Sequence, residues 1–156
     1  MPPTTAPLAA DRPTTADERV AFERDGHVCI RGLLTAEEVA AYRPAVMSAA
    51  AEGNHESRAL EDRDVYGRAF LQCINLWRLD ERVRELVFAP RIARVAAELL
   101  GADSVRLYHD QGLMKEPGGG HTPWHQDQFY WPFPPGEPNT VTARAAMRSI
   151  QSRSRQ

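Results

Sequence analysis

The chain has 156 residues, 42% of them hydrophobic, and a formal net charge of -2, with a pI near 6.2. That length suits one domain with a modest core, and so balanced a charge leaves no electrostatic footprint for nucleic acid or an anionic membrane surface. Cys29 and Cys73 stand far apart and outside any CxxC pattern, which excludes a disulfide scaffold or zinc knuckle and reads as two reduced core thiols. The Met1-Pro2-Pro3-Thr4-Thr5-Ala6-Pro7 start has no basic region followed by an apolar run, and no later segment reaches membrane-spanning length, so the expectation is a cytoplasmic protein.

Residues 1–14 are rich in Pro, Thr and Ala and offer little apolar surface to offset ordering entropy, which predicts a frayed tail. Thr15 with Glu18 forms a capping box ahead of a short helix, and Gly26 supplies its positive-φ stop. The alternation in His27-Val28-Cys29-Ile30-Arg31 predicts a strand. Thr35 and Glu38 form a second capping box, and Val39, Tyr42 and Val46 recur at helical spacing through about Ala50. From Glu52 to Arg68 the chain is polar and without periodicity, the pattern of a mobile loop of the kind that often carries substrate contacts. Phe70 to Trp77 reads as a strand, Asp80 caps a helix through Phe88, and Pro90 opens another that Gly101 closes. Val105 to Glu116 reads as a long strand, Phe133-Pro134-Pro135-Gly136 as a turn and Thr140 to Ala143 as the start of a further strand. Helices precede strands, which predicts an α+β domain with amino-terminal helices buttressing a sheet.

The chemistry concentrates in Thr122-Pro123-Trp124-His125-Gln126-Asp127-Gln128-Phe129-Tyr130-Trp131. On an extended strand the side chains of His125 and Asp127 project from one face with roughly 6.6 Å between them, two thirds of a 2-His-1-carboxylate iron site. The same pair also suits a surface strand with a histidine beside a solvated carboxylate, since such a site needs a third ligand. His121 lies four residues before His125, a ligand spacing only on a helix, which Pro123 disfavours. His27 and His55 read as surface or loop histidines. Gly118-Gly119-Gly120 lacks the Lys-Ser or Lys-Thr of a phosphate loop and reads as a flexible connection. Trp124, Tyr130 and Trp131 serve core packing or substrate contact equally well. In the strand predicted over 105–116, a period of two puts His109, Gln111, Leu113 and Lys115 on one face. Lys115 then either stands in water at a sheet edge or faces an anionic partner in a pocket.

The stretch from Tyr108-His109-Asp110-Gln111-Gly112-Leu113-Met114-Lys115-Glu116-Pro117 through Gly118-Gly119-Gly120-His121-Thr122-Pro123-Trp124-His125-Gln126-Asp127 resembles the phytanoyl-CoA dioxygenase family. So do Phe22-Glu23-Arg24-Asp25-Gly26-His27-Val28 and Gly32-Leu33-Leu34-Thr35-Ala36-Glu37-Glu38-Val39, and the resemblance runs in order from about Val20 to Ala143. It implies an Fe(II)- and 2-oxoglutarate-dependent oxygenase on a double-stranded β-helix, a jelly-roll-like fold, that uses O₂ and a small organic substrate. It further implies His125 and Asp127 as iron ligands and Gln111 and Lys115 as residues bordering the 2-oxoglutarate pocket, with Asn75 near another co-substrate position.

Beyond Ala143 the family pattern has a tryptophan, a second metal histidine and an arginine for the co-substrate carboxylate. Arg144 stands where the tryptophan is expected, and residues 144–156 form an Arg/Ser-rich tail with no distal His or Arg candidate. The expectation is therefore a partial domain over 15–143, its β-helix incomplete at the carboxyl end through truncation or frameshift near residue 144. Three readings stand at this point: a dioxygenase, a non-catalytic fragment of one, and a cupin-like metal protein that would recruit His109 or His121.

Overall fold

The computed structural model describes Leu8, residues 11–122 and residues 141–143. It contains five α-helices and two strands among those residues: α1 (Ala16–Asp25), α2 (Ala36–Glu52), α3 (Val65–Ala69), β1 (Leu71–Ile74), α4 (Glu81–Val87), α5 (Pro90–Leu100) and β2 (Gln111–Met114), with 3-10 turns at Leu60–Asp62 and Leu76–Arg78. This is the expected mixture of helix and sheet.

The helix boundaries follow local chemistry. Thr15 and Thr35 each accept the N–H of the residue three further on while Glu18 and Glu38 reach back, so both capping boxes form, and Gly26 ends α1 in the left-handed region at φ 71°. Asp80 accepts the N–H groups of Arg82 and Val83 at 2.7 and 3.1 Å to start α4. Pro90 opens α5, and Gly101 closes it at φ 62°.

Two linked cores result. Ala49, Ala50, Cys73, Leu76 and Val83 form one, joining α2 to the sheet and α4. Leu8, Tyr42, Leu86 and Ala89 form the other, and Val46 packs against both. The Tyr42 hydroxyl is buried without a hydrogen-bond partner among the described residues, and burial pushes its pKa up.

β1 and β2 pair antiparallel, with Cys73 opposite Gly112 and Ile74 opposite Gln111. Gly112 is there because β2 crosses α2 closely: a Cβ at that position would lie 2.9 Å from Leu76 Cδ1 and 3.3 Å from Ala50 Cβ. The opposite face is open. Ile74 is 51% exposed and Leu113 42%, so this sheet is covered on one side only by the described residues.

Several expectations are corrected. Residues 27–31 form no strand, since no strand among the described residues lies beside them to complete a ladder, and Cys29 is exposed rather than in the core. The strand expected over 70–77 stops at Ile74, because Asn75 adopts the left-handed conformation at φ 60° and turns the chain into the 3-10 turn. The strand expected over 105–116 shrinks to Gln111–Met114, the four residues that β1 can pair. Within the stretch expected to be a mobile loop over 52–68, Asp64 caps α3 by accepting the Gly67 N–H at 2.7 Å. Val141–Ala143 carry no strand, while the turn at 133–136 lies outside the described residues.

At its described positions the stretch expected to fray is held. Leu8 is 1% exposed in the second core, Arg12 makes two 2.7 Å bonds to the Glu18 carboxylate, and Thr14 donates from its N–H and hydroxyl to Glu98. The Arg12 guanidinium, with the Thr15 N–H, holds the Glu18 carboxyl down at about 2.

Candidate functional site

The residues that the sequence singles out fall at two ends of the small sheet. Gln111 begins β2, and Asn75 lies one step past its partner Ile74, its N–H donating to the Asp110 carbonyl at 2.9 Å. Lys115 follows the other end of β2. Lys115 lies four residues on from Gln111, about 13 Å of backbone at the usual rise. The structure therefore brings Asn75 and Gln111 together and sets Lys115 apart from them.

Asn75 is committed to the turn. It is the one non-glycine residue with positive φ among those described, a conformation that asparagine tolerates better than most, and its Oδ1 accepts the Trp77 indole N–H at 3.3 Å. Gln111 contacts His109 through its side-chain amide nitrogen and the ring Nε2.

Asp110, which the sequence reading left without a role, fastens this end of the sheet. Its carboxylate accepts the Trp77 N–H at 3.3 Å and, like its backbone, ties β2 to the turn after β1. Burial raises its pKa above the ordinary 3.8, against backbone N–H groups of Trp77 and Leu76 that lower it. A folded-state acid with raised pKa costs stability while ionised, and that cost is relieved as pH falls through the raised value towards 3.8. Asp110→Asn keeps the acceptor without the buried charge, so it is expected to match or exceed the parent in stability at pH 7, the difference closing towards pH 4. Asp110→Ala leaves the backbone donors unsatisfied and is expected to cost about 1–3 kcal/mol. Urea unfolding of both variants across pH measures this.

At the other end the Lys115 ammonium is exposed and donates to the Gly120 carbonyl and the Thr122 hydroxyl, both at 3.0 Å, with the Phe70 ring centroid 5.5 Å away. No carboxylate among the described residues pairs with it. Two of its three N–H groups thus meet neutral acceptors. Phe70 and Thr122 were missed by the sequence reading, since neither carries a signal outside this geometry. Alongside Phe70 a polar cleft of about 510 Å³ is lined by residues that include His55, Glu56, Arg58, Asp64, Tyr66 and Gln72.

His125 and Asp127 lie outside the described residues, as do Trp124, Tyr130 and Trp131. Among the described residues no group of three His, Cys, Asp or Glu side chains could hold a metal, and no helix is long and apolar enough to cross a membrane.

Comparison with curated proteins and with solved structures finds no match. The profile of the phytanoyl-CoA dioxygenase family matches residues 22–153. That span covers the Thr35–Glu38 capping box, the sheet, Lys115 and the His125-Gln126-Asp127 tripeptide, and it continues past Ala143 through most of the Arg/Ser-rich segment. With most of its length accounted for in this way, the chain belongs to the phytanoyl-CoA dioxygenase family.

Proposed function

We propose that the protein is an Fe(II)- and 2-oxoglutarate-dependent dioxygenase that hydroxylates a small organic molecule. The observation that carries this reading is the exposed Lys115 ammonium, held at 3.0 Å from Thr122 by a strand of the matched family domain.

In this reading His125 and Asp127 hold the iron, which together with 2-oxoglutarate supplies the oxidising power for hydroxylating a C–H bond with O₂ while succinate and CO₂ are released. Lys115 neutralises a carboxylate of 2-oxoglutarate, and its bonds to Gly120 and Thr122 hold the ammonium in place before the anion arrives. Gln111 and Asn75, at the opposite end of the sheet from Lys115, shape the sheet rather than the carboxylate contact. The cleft beside Phe70 admits the prime substrate. On this reading the further strands of a double-stranded β-helix would pack over the exposed Ile74 and Leu113 side chains.

Release of succinate from 2-oxoglutarate by the iron-loaded protein, in the presence of O₂ and a panel of small hydroxylatable compounds, tests the reading. Turnover that needs both iron and 2-oxoglutarate supports it. Folded protein that releases no succinate would favour the non-catalytic reading.

A further inference from the structure

The segment between Arg58 and Ala69 grips the turn that follows β2 at two points. Arg63 is buried, its side chain 7% exposed, and its guanidinium donates from Nε to the Arg58 carbonyl at 3.0 Å while Nη1 meets the Glu116 carboxylate. Five residues on, the Arg68 carbonyl accepts the Gly120 N–H at 2.8 Å. The turn itself is closed by the Gly119 N–H on the Glu116 carbonyl at 3.1 Å, and it is packed so tightly that a Cβ on Gly119 would lie 2.8 Å from the Arg68 carbonyl oxygen. Lys115 reaches the same turn from the strand, donating to the Gly120 carbonyl.

A buried guanidinium is costly unless its charge and its planar donors are matched, and Arg63 has both a carboxylate and a carbonyl in directions that its fork can reach. Glu116 is the residue next to Lys115, so whatever fixes Glu116 fixes the backbone from which Lys115 projects. We infer that Arg63 is a positioning residue: through Glu116 it sets the Lys115 ammonium and the Gly118–Gly120 turn in place beside the cleft, whose wall includes its neighbours Arg58 and Asp64. The consequence for 2-oxoglutarate rests on the functional reading above, whereas the effect on the turn does not.

The experiment compares Arg63→Met, Arg63→Lys and Glu116→Gln with the parent by amide hydrogen exchange and by steady-state kinetics. Arg63→Met and Glu116→Gln are expected to speed exchange at Gly119 and Gly120 by about tenfold while the α2 and α4 amides keep their protection. Arg63→Lys, which can still meet Glu116, is expected to recover most of that protection. In kinetics the same two variants are expected to raise KM for 2-oxoglutarate by about tenfold with kcat changed by less than about twofold. Unchanged exchange at Gly119 and Gly120, or acceleration spread evenly over α2 and α4, overturns the positioning role, and so does a fall in kcat at constant KM. Glu116 is partly exposed, its side chain 33% accessible, so Glu116→Gln keeps the comparison sound should Arg63→Met fail to fold. A parent protein with no 2-oxoglutarate dependence defeats the functional reading alone, and the exchange result still decides the role of Arg63 in the turn.

Discussion

Asp127→Ala is expected to abolish 2-oxoglutarate-dependent succinate release, by more than about 100-fold. Residues that merely orient a metal ligand are worth about 10- to 100-fold, and a ligand itself is worth at least that. His125 and Asp127 are spaced two apart, the separation at which a strand presents both side chains to one ion, and on the proposed reading iron left with His125 alone would be weakly bound. Asp127→Glu moves the carboxylate outward by one methylene and is expected to retain a trace of activity. Wild-type turnover in Asp127→Ala would remove the tripeptide from the mechanism.

Arg91→Ala is expected to cost about 3–5 kcal/mol of stability, measured by urea unfolding, the range for breaking a buried ion pair by removing one partner. Arg91 in α5 places both terminal nitrogens on the Glu38 carboxylate at 2.8 and 3.0 Å and donates to the Leu33 carbonyl at 2.8 Å, with side-chain exposures of 6% for Arg91 and 14% for Glu38. Glu38 is also the third residue of the Thr35 capping box, so one carboxylate serves both the start of α2 and the α2–α5 junction. Without Arg91 that carboxylate keeps its bond from the Thr35 N–H and loses its paired guanidinium. A domain of this size has about 5–15 kcal/mol in hand, so the variant is expected to lose a large share of it. Adding Glu38→Gln should return part of the loss by removing the orphaned charge, and a double variant less stable than either single one would contradict this account.

Local chemistry was the legible part of the fold. The capping boxes at Thr15 and Thr35, the Asp80 cap, Pro90 and the glycines at 26 and 101 act within one helical turn, and all of them appear where the sequence places them. Strands were less legible because alternation says nothing about a partner. Residues 27–31 alternate as well as any strand and pair with no strand among the described residues, and 105–110 lose theirs where Asn75 turns β1 away. Long-range polar pairs were invisible: Arg63 meets Glu116 across 53 residues, and Arg91 meets Glu38 across the same separation. At the candidate site the sequence supplied Lys115 and Gln111 on one face of the strand expected over 105–116, but only the structure puts Lys115 past the far end of the sheet from Asn75 and links it to Thr122.

Anaerobic titration of the full chain with Fe(II) and 2-oxoglutarate tests the central claim most directly, through the visible charge-transfer absorption that chelation of 2-oxoglutarate to iron produces. The account predicts a saturable band, weakened in Asp127→Ala. Folded protein that develops no band at saturating iron and 2-oxoglutarate would contradict it.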